Sequence, residues 1–95
     1  MTTKIWIEEG VIWDLDPIAR PGFRRVKKLA VKLGCSVHVL SGREGDHQPD
    51  SLHPDGLAWD MQKDKFTKSD LLVTLGDEWD VIEYDWGFHC EYDPK

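Results

Sequence analysis

Apolar and polar positions along the chain fall into short blocks of distinct period. In KIWIEEGVIW, residues 4–13, apolar side chains recur closely enough to predict one or two short strands. DLDPIARPG follows as a turn region with two prolines. From Phe23 the apolar positions Phe23, Val26, Ala30 and Leu33 keep a helical spacing, and Gly34 is placed to stop that helix. CSVHVLSG, residues 35–42, is rich in β-branched residues and ends in Ser-Gly, a strand pattern. LAWDMQ, residues 57–62, alternates and reads as another strand. TKSDLLVTLG, residues 67–76, predicts a short helix with Thr67 as its cap, Asp70 three residues on and Gly76 closing it. EWDVIEYD and WGFHCEYD are two closely spaced strands at the C-terminal end. This order predicts an α+β domain, a small and mostly antiparallel sheet with two helices on one face. No repeat, low-complexity tract or linker interrupts it, so residues 1–95 read as a single domain.

Polar residues placed on that frame suggest chemistry. Residues 43–56, REGDHQPDSLHPDG, form a long polar loop, a feature that in compact domains is often functional. Alternation in LAWDMQ puts Leu57, Trp59 and Met61 on one side and Ala58 and Asp60 on the other. In WGFHCEYD, Phe88, Cys90 and Tyr92 share a face, and Gly87, His89 and Glu91 the opposite one. Glu83 lies on the side of Trp79 and Val81 in its own strand, and the next strand follows closely enough to bring Glu83 near His89. His53 sits toward the end of the loop, before Asp60. A His, Asp, His set suits Zn²⁺, since two neutral imidazoles and a carboxylate leave a fourth position for water. On this reading His53, Asp60 and His89 are the metal ligands and Glu83 is the general base.

Composition narrows the field. The chain is 40% hydrophobic and 32% charged, which fits a globular domain rather than a disordered one. Five tryptophans suggest a small core built from large side chains. A net charge of −6 argues against a nucleic-acid surface. No apolar run approaches a membrane span, and the start MTTKIWIEEG has no signal-peptide pattern, so the expected localisation is cytoplasmic at synthesis. Two cysteines, Cys35 and Cys90, are too few for a disulfide scaffold and read as buried reduced thiols. Arg24, Arg25, Lys27, Lys28 and Lys32 read as a solvated helix face. His38 reads as an ordinary sheet histidine, Trp59 and Trp86 as packing residues, and Asp46, Asp50 and Asp55 as loop and turn residues. Glu91 reads equally as a partner of His89 or as an exposed acid.

The decapeptide SLHPDGLAWD resembles the S-x-H-x-x-G-x-A-x-D signature of the zinc D-Ala-D-Ala metallopeptidases, matched at Ser51, His53, Gly56, Ala58 and Asp60. That group includes D-Ala-D-Ala carboxypeptidases, dipeptidases of the vancomycin-resistance type and phage L-alanyl-D-glutamate endolysins; the hedgehog signalling domain shares its fold and site. Upstream, VHVLSGR is similar to the family strand ending in Ser-Gly-Tyr-Arg, with Ser41, Gly42 and Arg43 present and the tyrosine missing. Downstream, GFHCEYDP is similar to the strand carrying the second histidine ligand, here His89. GDHQPDSLH is close to the hedgehog segment with a histidine six residues before the first ligand, which implies a site role for His47. Many members place the catalytic acid in Glu-x-x-His; that position is Trp86 here, whereas Glu83 fits the hedgehog-type spacing six residues before the histidine and Asp85 is the fallback. The likeness runs from Asp16 to the C-terminus, and its middle motif is the specific one.

The resemblance implies a hedgehog-like or D-Ala-D-Ala-peptidase-like fold and a zinc peptidase. Zn²⁺ on His53, Asp60 and His89 would activate water, Glu83 would move the proton, and His47 and Arg43 would steady the oxyanion or hold a substrate carboxylate. The implied partner is a peptidoglycan stem peptide containing D-amino acids, with no nucleic acid and no membrane insertion, and with action on the cell wall after release. Two other classes stand beside it. One is a metal-binding pseudoenzyme or interaction module of the same fold. The other is a metal-dependent nuclease, since GDHQPDSLH is weakly similar to a ββα-metal motif; the acidic charge argues against it.

Overall fold

The computed structural model describes residues 4–10, 13–42 and 56–94. Among the described residues five strands and two helices follow in the order β1 (Ile5–Ile7), α1 (Arg20–Leu33), β2 (Val37–Ser41), β3 (Ala58–Gln62), α2 (Lys68–Leu75), β4 (Trp79–Tyr84) and β5 (Gly87–Tyr92). The protein is α+β, with a sheet ordered β1-β2-β3-β5-β4. The sheet is mixed: β1 pairs parallel with β2, which α1 connects, and every other pairing is antiparallel. Stretch 4–13 supplies one described strand, three residues long.

Helix α1 begins at Arg20, three residues before the first apolar position of its stripe, with a proline in its first turn. Proline fits there because the amide it lacks has no intrahelical partner at a helix start. Gly34 ends the helix in the left-handed conformation, φ 70°, with its N–H on Ala30 O and Val31 O. Thr67 caps α2: its Oγ1 accepts from Asp70 N at 3.1 Å. Arg25 reaches from α1 to the other end of α2, donating from Nε to Thr74 O and from Nη2 to Leu75 O, both at 2.9 Å.

Both helices pack on one face of the sheet. Phe23, Val26 and Ala30 of α1 and Leu71 and Leu75 of α2 join Val37, Val39, Trp59, Met61, Val81, Phe88 and Cys90 in a single core. Trp59 is fully buried at its centre, edge-on to Phe23 at 5.2 Å and to Trp79 at 5.1 Å. Its indole N–H donates to Met61 Sδ at 3.3 Å, so the buried donor is satisfied. Two of the tryptophans do not serve the core: Trp6 is 56% and Trp86 47% exposed. Both cysteines are free; Cys90 is buried and Cys35 half-buried. Among the described residues no helix is long and apolar enough to cross a membrane.

Candidate functional site

Because Trp59 and Met61 of β3 and Phe88 and Cys90 of β5 point into the core, alternation turns Asp60 and His89 to the face opposite α1 and α2. The ladder sets Asp60 directly opposite His89 and Ala58 opposite Glu91. A bulge between Val39 and Ser41 shifts the β2 register and brings Ser41 opposite Asp60, so the strand that leads into Ser-Gly-Arg ends beside that carboxylate.

The side chains meet. Asp60 Oδ1 lies 2.8 Å from His89 Nδ1, and Glu91 Oε1 lies 3.1 Å from His89 Nε2. The His89 side chain is 15% exposed and those of Asp60 and Glu91 are 19% and 21% exposed, so the three groups sit largely out of water. Burial alone would pull the imidazole below its usual 6.5, but the hydrogen bonds and charges of Asp60 and Glu91 outweigh it and hold the group above that value. Both ring nitrogens donate only in the imidazolium form. Cys90, next in sequence and fully buried on the opposite face, has its thiol pushed far up by desolvation and by the Asp60 charge, so it is no candidate ligand or nucleophile.

The glycine and alanine of the decapeptide have physical reasons. Gly56 sits at φ 74°, and a Cβ there would lie 2.8 Å from Asp16 N and 2.9 Å from Asp14 O. Its carbonyl accepts from Asp16 N at 2.9 Å, which ties the approach to β3 to the segment before α1. Ala58 is fully buried on the Asp60 face, where its small side chain stands opposite Glu91.

Glu83 lies elsewhere. The β4–β5 register puts Ile82 opposite His89 and Glu83 opposite Phe88. Opposed residues of an antiparallel pair share a face, so Glu83 belongs to the side of the helices and not to that of Asp60 and His89. Its Oε2 pairs with Lys63 Nζ at 3.2 Å. The expected approach of Glu83 to His89 is therefore not met. His53, His47 and Arg43 fall outside the described residues.

Sequence reasoning passed over Asp80 and Asp93. Each offers an oxygen within 4.8 Å of the other and of Glu91, a half-buried carboxylate group able to hold a cation. The signal for Asp80 is its polar position between the buried Trp79 and Val81, which places it opposite Glu91. An all-oxygen set suits hard cations better than zinc. His38, read as a sheet histidine, pairs its Nε2 with Glu8 Oε1 at 2.6 Å, apart from the Asp60 group.

Comparison with family models, with curated proteins and with solved structures finds no match.

Proposed function

We propose that this protein is a zinc-dependent peptidase of hedgehog-like or D-Ala-D-Ala-peptidase-like fold, hydrolysing D-amino-acid-containing peptidoglycan stem peptides. The observation that carries the reading is the 2.8 Å approach of Asp60 Oδ1 and His89 Nδ1, cross-strand partners whose side chains sit largely out of water. Their donor chemistry fits Zn²⁺, which they would hold with His53. Bound there, the metal supplies Lewis acidity that polarises a carbonyl and makes water nucleophilic near neutral pH.

The residues of the chain do the rest. Glu91, 3.1 Å from His89 Nε2, fixes the ring so that Nδ1 is the nitrogen offered to a metal. Arg43 and His47 are the proposed holders of a substrate carboxylate or developing oxyanion, and Glu83 the proposed acid–base group. One observation favours the second reading, a metal-binding module without turnover: Glu83 lies on the helix side and is paired with Lys63.

Elemental analysis of the purified chain beside hydrolysis of a stem peptide tests both readings. The peptidase reading expects about one zinc per chain, loss of that zinc in Asp60→Asn and His89→Ala, and cleavage that stops with the metal removed. Zinc retained with no cleavage of any stem peptide transfers the conclusion to the non-catalytic module. A wild-type chain that takes up no zinc overturns both.

A further inference from the structure

Trp13, Asp14 and Leu15 face the first two turns of α1 across a cleft of about 270 Å³, whose other wall is Arg20, Phe23, Arg24 and Lys27. Three cations and one carboxylate line it, in a chain whose net charge is −6. Arg20, Arg24 and Lys27 follow one ridge of α1, at spacings of four and three residues. Like charges on such a ridge repel, and cations early in a helix oppose its dipole. The first turn of α1 holds no acidic residue to offset them. Asp14, 4.0 Å from Arg20 Nη2, offsets one of the three charges, and an anion in the cleft would offset the others.

The other basic residues of α1 behave differently. Arg25 is engaged in capping α2, and Lys28 and Lys32 lie outside the cleft. Arg20 is pinned, its Nε donating to Leu15 O at 3.0 Å, with Nη2 4.0 Å from Asp14 Oδ1. Lys27 Nζ sits 5.8 Å from the centre of the Phe23 ring. Among the described residues neither Arg24 nor Lys27 has an ion-pair partner. Between the charged groups the lining is apolar: Trp13, Leu15 and Phe23 contribute it, and Trp13 meets Phe23 edge-on at 4.7 Å. Backbone amides contribute little, because those of Ala19 and Arg20 bond to Asp16 O and that of Gly22 to Ala19 O. The cation side chains and the aromatic wall make the cleft.

We propose that this cleft binds a small oxyanion, a carboxylate or a phosphate, carried on an apolar stem. Arg24 presents its planar fork to the anion, Arg20 is held ready beside it, and Lys27 adds a third charge. Trp13 and Phe23 take the stem. The site is separate from Asp60 and His89 and stands or falls independently of the zinc reading.

Titration of the whole chain with N-acetyl-leucine, with its uncharged amide and with inorganic phosphate tests this, read from backbone amide and indole resonances. Saturable shifts confined to residues 13–27 are expected with the carboxylate and not with its amide. Arg24→Glu combined with Lys27→Glu should weaken binding at least about tenfold, and Lys28→Glu should leave it unchanged. Should the charge reversal fail to fold, Arg24→Gln with Lys27→Gln serves, and binding by the wild type must fall as salt rises. Phosphate saturating the same resonances as tightly as the carboxylate points to a phosphate ester as the natural source; acetyl-leucine alone points to a peptide or acyl carboxylate. No saturable shift with either anion, or shifts that persist in the double variant, overturns the proposal.

Discussion

Asp60 and His89 occupy directly opposed positions on β3 and β5, and their side chains meet at 2.8 Å on the sheet face turned away from the helices. Neither can move without disturbing a strand whose other face is core: Trp59 and Met61 flank Asp60, Phe88 and Cys90 flank His89, and all four are fully buried. The backbone ladder therefore holds two potential ligands in place before any ligand arrives. That is the pre-organisation a metal or a polar substrate group exploits.

The pair also fixes a pH dependence. In chelator-treated protein the carboxylates of Asp60 and Glu91 hold the His89 pKa above the unfolded value of 6.5. A raised folded pKa means that the native state binds the proton more tightly. The stabilisation is fully present below about pH 6.5 and is lost as pH rises through the folded value. Denaturant midpoints should fall as pH rises from about 6.5 to 8, and His89→Gln should flatten that slope. Zinc competes with the same proton, so the extra stability given by zinc should grow with pH over the same window. A wild-type profile with the slope of His89→Gln would remove the imidazolium from the account.

How much of this was legible in the sequence follows from the reach of each signal. Thr67, Gly34 and Gly76 mark helix ends because capping is local, and Asp60 and His89 share a face because alternation is local. Glu83 shows the limit. Its face was legible from Trp79 and Val81, but its neighbour depended on register. The turn at Asp85 and Trp86 joins Tyr84 to Gly87 as cross-strand partners, and counting back sets Glu83 against Phe88. The parallel pairing of β1 with β2 goes with the strand–helix–strand order, whose helical crossover returns the chain in the same direction; the expectation of a mostly antiparallel sheet did not single it out. The basic ridge of α1 looked uniform in sequence because solvated and cleft-lining charges carry the same letters; only the capping contacts of Arg25 and the wall at Trp13 divide it.

Gly56→Ala should be among the costlier single changes in the chain. The position requires φ 74°, and the added methyl would press on Asp16 N and Asp14 O. A side chain forced into the left-handed region costs about 1–2 kcal/mol before any clash, so a loss of about 2 kcal/mol or more is expected. Chemical denaturation measures it. A loss below about 0.5 kcal/mol, the range of ordinary surface substitutions, would mean that the segment before α1 yields easily and that Gly56 does not anchor the approach to β3.

Glu83 and Glu91 are separable by a pair of substitutions. Glu83 faces Lys63 on the helix side, and Glu91 touches His89 Nε2. If Glu83 is the acid–base group, its carboxylate must leave Lys63 and swing round the strand end when substrate binds. Glu83→Gln should then lower turnover by about 10²–10⁴-fold with zinc content unchanged, the usual contribution of a positioned acid–base group. Glu91→Gln should instead act through the ring it orients, weakening zinc affinity by about 10–100-fold, as loss of a partner to a ligating histidine does. The informative measurement is turnover of a stem peptide against free zinc concentration for both variants. Activity of Glu91→Gln restored by excess zinc, with Glu83→Gln inactive at every concentration, assigns positioning to Glu91 and proton transfer to Glu83. A fully active Glu83→Gln would remove Glu83 from the chemistry, in agreement with its place beside Lys63. An inactive, zinc-replete Glu91→Gln would then make Glu91 the carboxylate that moves the proton.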